Sequence, residues 1–100
     1  MVKVNWTREA IENIHELSEH FEPRSLRYAE QLTDQIFEKA EILIQFPQIG
    51  RVVPEIDNPA IRELIYKSYR IIYTILTEDK IDILAVHNGL RPLSDISIFD

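Results

Sequence analysis

The clearest pattern of apolar and polar positions lies between Ile61 and Val86, where β-branched and aromatic residues are densest and turn signals recur at short intervals. It predicts three strands of one antiparallel meander. The first runs from about Ile61 to Tyr66, turning at Lys67-Ser68. The second takes Tyr69 to Leu76, turning through Thr77-Glu78-Asp79, and the third takes Lys80 to His87. The connections are too short for parallel crossovers. In the middle strand Tyr69, Ile71, Tyr73 and Ile75 point one way, and Arg70, Ile72, Thr74 and Leu76 the other. Both faces are therefore largely apolar, and a guanidinium at Arg70 must be paired or reach water.

Towards the N-terminus, Val2, Val4 and Trp6 alternate with Lys3 and Asn5, which predicts a further strand. Thr7 suits a helix N-cap. Ala10, Ile11, Ile14, Leu17 and Phe21 then recur at helical spacing, predicting a helix from about Arg8 to His20. Glu22-Pro23 breaks it, and Pro23 is placed to open a second helix of about twenty residues. The stripe of that helix is Leu26, Ala29, Leu32, Thr33, Ile36, Ala40, Leu43 and Ile44, with Phe37 on its shoulder. Phe46-Pro47 stops it, and Gly50 supplies the flexible backbone for a reversal. Val52 to Glu55 reads as extended, Asp57-Asn58-Pro59 as a loop, Asn88-Gly89 as a tight turn, and the residues beyond as an extended or short helical tail. The order β-α-α-β-β-β predicts an α+β fold, a helical hairpin packed on one face of a mainly antiparallel four-stranded sheet.

The chain has 100 residues, 45% of them apolar and 28% charged, which suits one two-layer domain over residues 1–100. It contains no cysteine, so disulfides, thiolate nucleophiles and zinc-cysteine sites are excluded and a reducing cytoplasm suits it. No stretch approaches the length of a membrane span, and the N-terminus lacks the pattern of a secretory leader. Seventeen acidic against 11 basic side chains give a formal charge of −6, which argues against a large nonspecific footprint on nucleic acid. His15 and His20 are not at the same-face spacing of a metal pair, so no metal or other cofactor is expected.

Several pieces, in order, carry a family resemblance: a strand ending in Trp-Thr, an αα hairpin, Phe-Pro-Gln-Ile-Gly-Arg before Val-Val-Pro-Glu, Ile-Arg-Glu-Leu, Tyr-Arg-Ile-Ile-Tyr, and Ile-Leu-Ala-Val-His before Arg91. Together they span nearly the whole chain. They resemble the RelE/ParE toxin superfamily of bacterial type II toxin–antitoxin systems. The resemblance implies a small toxin held inactive by a cognate antitoxin. It leaves two activities open: messenger-RNA cleavage in the ribosomal decoding site, as in RelE-like members, or inhibition of DNA gyrase without nuclease chemistry, as in ParE-like members; the alternative from another class is a non-toxic interaction domain, harmless when expressed in bacteria.

Cleavage through the 2′-hydroxyl needs a group to orient or deprotonate it, positive charge at the phosphate and an acid for the leaving oxygen. By resemblance Arg70 and Arg91 would meet the phosphate, and His87 is a group that can exchange a proton. These three are expected to share one patch. The lysine pair of the best-known nuclease branch falls here near Ile61 and Glu63, and the place of its tyrosine near Ser97. Glu63 with His87 would be the substitute acid–base pair of other nuclease branches. These departures favour the ParE-like branch. Each residue also has a structural reading. Arg70 would bond to Glu55, Glu63 or Glu78; Arg62 and Glu63 would form a solvated pair; His87 and the tyrosines would be packing residues with satisfied polar atoms. For the antitoxin, Phe21 and Phe37 are the expected exposed apolar contacts on the hairpin. Because the toxin itself is acidic, that pairing would rest on apolar burial more than on charge.

Overall fold

The structure, a computed structural model, describes residues 1–90. Its elements are β1 (Lys3–Trp6), α1 (Arg8–Phe21), α2 (Leu26–Glu41) continued by a 3-10 turn (Ile42–Ile44), β2 (Arg51–Val52), β3 (Ile61–Tyr66), β4 (Tyr69–Thr77) and β5 (Lys80–Asn88). The predicted meander is present as β3-β4-β5. The extended segment after Gly50 also enters the sheet. It pairs Arg51 with Glu63 and Val52 with Arg62, so the sheet has five strands where four were expected. The spatial order is β1-β5-β4-β3-β2, with β1 parallel to β5 and every other pair antiparallel.

Thr7 shows how the chain turns from strand to helix. Its hydroxyl accepts from the Ala10 N–H at 3.3 Å, capping α1, and donates to the Ile83 carbonyl at 2.7 Å, tying the helix start to β5. Asn13, farther along α1, accepts from the Val86 N–H at 2.9 Å. The second helix begins later than Pro23 suggests. Ser25 is extended and its side chain accepts from the Tyr28 N–H, so a hydroxyl cap rather than the proline sets the start. Leu26, at the first turn, is consequently exposed and lies outside the core stripe.

Both helices cover one face of the sheet. There Ala10, Ile14, Leu17, Leu32, Ile36, Ala40 and Leu43 meet Leu64, Ile71, Tyr73, Ile81, Ile83 and Val86. The opposite face carries a smaller apolar group, Val53, Ile72 and Ala85, with Ile56, Ile61 and Leu84 packed against it. A bulge in β5 pairs Ile72 with Ala85 but Tyr73 with Ile83, so Leu84 is the extra residue there. The alternation along β4 thus places Ile71 and Tyr73 under the helices and Arg70 and Ile72 on the other face.

Gly50 does not serve through a left-handed backbone. Among the described residues the positive φ angles belong to Asp57 (54°) and Lys67 (53°). Gly50 is required by close approach, since a Cβ there would stand 2.7 Å from both the Glu63 carbonyl and the Tyr73 hydroxyl.

Candidate functional site

The face of the sheet away from the helices is where the sequence-predicted chemistry falls. Arg70 lies on β4 opposite His87 of β5 on one side and Ile65 of β3 on the other. Its guanidinium is nearly enclosed, with the side chain 12% exposed. The Nε edge donates to Glu63 Oε1, and the two terminal nitrogens donate to the two oxygens of Glu55, each at 2.8 Å. The second oxygen of Glu63 accepts from Arg51 Nε on β2. Two guanidiniums and two carboxylates thus form one neutral cluster across β2, β3, β4 and the connection after β2.

The electrostatics follow from this pairing. The bidentate bond from Arg70 is the largest influence on Glu55 and pulls its pKa down to about 2, against an ordinary value of 4.5. The same bonds to Glu55, followed by those to Glu63, raise the pKa of Arg70 further, so it is charged at any accessible pH.

Glu63 is the principal correction to the expectations at this site. It is not half of a solvated pair with Arg62 but a buried carboxylate, 1% exposed, whose two oxygens are taken by Arg51 and Arg70. Arg62 points to the helix-bearing side and donates to the carbonyls of Pro59, Gln48 and Gly50. Strand alternation separates the two neighbours onto opposite faces. His87 faces the same way as Arg70 and is buried, 7% exposed. Arg91 lies outside the described residues. Arg70 and His87 therefore share a face at paired positions of β4 and β5, and the Arg70 guanidinium is bound there by two carboxylates.

Two aromatic residues expected to be exposed on the hairpin are less so. Phe21 and Phe37 are half-buried and packed on the core, Phe37 with its ring centroid 4.6 Å from that of Trp6 and Phe21 5.0 Å from Tyr28. Both rings pack against the core from partly buried positions, Phe37 from the shoulder of its helix's stripe and Phe21 from the end of its own. The exposed apolar side chains on the helical layer are Ile11, Leu26, Tyr28 and Ile42.

Sequence reasoning singled out neither Arg51 nor the hydroxyl of Tyr73 as a contact. Tyr73 is fully buried. It donates to the Pro47 carbonyl at 2.8 Å and accepts from the Gly50 N–H at 3.0 Å, and desolvation raises its pKa. A buried phenol in a central strand must satisfy its hydroxyl, which is the signal that points to such a contact without naming the partner.

Compared with known proteins, residues 4–92 match the family described as the ParE toxin of type II toxin-antitoxin systems, parDE. The chain belongs to this family. It is therefore a type II toxin of the ParE kind within the RelE/ParE superfamily. A solved chain from the chromosomal ParDE toxin–antitoxin system of P. aeruginosa has the same fold. Its TM-score is 0.74 at 21% identity, over 88% of this chain and 96% of that one. No match was found among curated proteins. Among the described residues of this ParE-family toxin, no helix is long and apolar enough to cross a membrane.

Proposed function

We propose that this ParE-family toxin inhibits growth by binding a target such as DNA gyrase, and that a cognate antitoxin neutralises it through the apolar helical layer and a sheet edge. The observation that carries the first part is the pairing of Arg70. A nuclease needs positive charge free to meet the phosphate as charge develops in the transition state, and removing one such contact typically costs about 2.7–4 kcal/mol. Here the guanidinium is bound by Glu63 and Glu55, and Arg51 is also bound to Glu63. An incoming phosphate would have to displace Glu55 and would still face the buried carboxylate of Glu63. His87, the candidate proton carrier, is 7% exposed beside them. The family membership and the exposed Ile11, Leu26, Tyr28 and Ile42 support an antitoxin partner.

Induced expression in bacteria, read two ways, tests the activity. The expected result is inhibited supercoiling by gyrase with purified toxin, while messenger-RNA 5′ ends mapped within minutes of induction stay unchanged. Rapid codon-positioned cleavage that Arg70→Ala abolishes, in a variant shown to be folded, would establish ribosome-dependent messenger-RNA cleavage instead. Co-expression with the adjacent reading frame, followed by pull-down, tests the antitoxin; growth inhibition that no adjacent product relieves would overturn that part.

A further inference from the structure

The two edges of the Arg70 guanidinium have different kinds of partner. The Nε edge is held from inside the sheet by Glu63, whose side chain is fully buried. The outer edge, formed by the two terminal nitrogens, grips both oxygens of Glu55 at 2.8 Å. Glu55 is on no strand. It lies in the connection between β2 and β3, and its side chain is 49% exposed. A planar fork whose inner edge is fixed and whose outer edge faces a surface carboxylate has the geometry by which arginine recognises carboxylates from outside a chain. Fixing the inner edge also removes much of the ordering cost of binding.

We propose that the outer edge of Arg70 is a carboxylate-binding site, which the chain fills with its own Glu55 until an acidic side chain of a partner protein takes that place. The proposal builds on the reading that this toxin acts by binding. Charge favours a single carboxylate as the ligand. With Glu55 displaced, Arg51, Glu63 and Arg70 leave one net positive charge, while the chain as a whole carries −6 and repels a polyanion such as nucleic acid. The exchange replaces one bidentate pair by another, and Glu55, already half in water, regains hydration. The folded connection holds Glu55 in place, so its effective concentration is well above the roughly millimolar value of a flexible tether; a free small carboxylate competes poorly and a partner with additional contacts competes well.

The test uses the whole chain and needs no gyrase. Sodium acetate is titrated against Glu55→Ala and the unaltered protein at fixed ionic strength, following the Arg70 Nε–H resonance by nuclear magnetic resonance; inorganic phosphate is titrated in parallel. The expected result is a saturable shift in Glu55→Ala at acetate concentrations on the order of tens of millimolar, with the unaltered protein needing at least about tenfold more. Should Glu55→Ala not fold, Glu55→Gln, which keeps the side-chain length and removes the charge, carries the same titration. An unresponsive variant, or an equal response in both proteins, would overturn the site. Phosphate binding about tenfold tighter than acetate would overturn its assignment to carboxylates. Failure to inhibit gyrase would leave these results unaffected, so the two readings fail separately.

Discussion

At the scale of single residues, Arg70 holds a strand and a connection together by charge. Glu63 is buried with both oxygens bonded to arginines, so deleting either partner strands part of a desolvated charge. Arg70→Ala should lower the free energy of unfolding by about 3 kcal/mol, the low end for a broken buried pair because Arg51 still holds Glu63. Urea denaturation measures it, and a loss under about 1 kcal/mol would mean the pair is effectively solvated. Loss of toxicity in this variant thus has meaning only beside that measurement. Glu55 gives a pH dependence of known sign. Its folded pKa, about 2, lies below the ordinary 4.5, so its contribution is complete above about 4.5, declines as pH falls, and is lost below about 2. Stability measured from pH 5 to pH 2 should fall less steeply in Glu55→Gln than in the unaltered chain. Because the Glu55 side chain is half-exposed, raising the salt concentration should shrink that difference.

At the scale of elements, the turn between the helical layer and β2 is fixed from the sheet side. Tyr73 bonds the carbonyl of Pro47 and the N–H of Gly50, and Arg62 bonds the carbonyls of Gln48 and Gly50. A loop so held positions β2, whose Arg51 and Val52 make the sheet's edge. Tyr73→Phe keeps the ring but leaves the Gly50 N–H and the Pro47 carbonyl without their partner, and should cost about 1–3 kcal/mol. Gly50→Ala should cost a similar amount, about 1–3 kcal/mol, by overpacking against the Glu63 carbonyl and the Tyr73 hydroxyl. Since both changes loosen the same turn, the double variant should lose less than the sum, a coupling that a double-mutant cycle reads directly. Strict additivity would show that the two contacts act independently.

At the scale of the whole molecule, net charge and exposed apolar groups decide how partners are met. A surface of −6 gives an acidic antitoxin little electrostatic attraction, whereas Ile11, Leu26, Tyr28 and Ile42 are available for burial. The affinity of the toxin for its antitoxin should therefore change by less than about tenfold between roughly 0.1 and 0.5 M sodium chloride, measured by titration calorimetry. A steep loss with salt would show that local charge pairs dominate. Nonspecific RNA should bind more weakly still, because few cations are available to release counterions from a phosphate backbone.

What the sequence determined by itself was the set of elements and their faces. Alternation from Ile61 to Val86 specifies β3, β4 and β5, helical periodicity specifies α1 and α2, and the hydroxyl of Thr7 marks a helix start, because these signals act between residues close in the chain. The need of Arg70 for a carboxylate was legible for the same reason: an arginine in a two-sided apolar strand is costly alone. Which carboxylate it takes was not. That depends on register: β2 sets Arg51 opposite Glu63, and the connection after β2 carries Glu55 to the outer edge of Arg70. The parallel pairing of β1 with β5 and the partial burial of Phe21 and Phe37 were likewise decided only in three dimensions. Local pattern sets which way a side chain faces, but long-range pairing chooses its neighbour, and only the tertiary structure turned Glu63 from a presumed surface charge into the buried centre of the cluster.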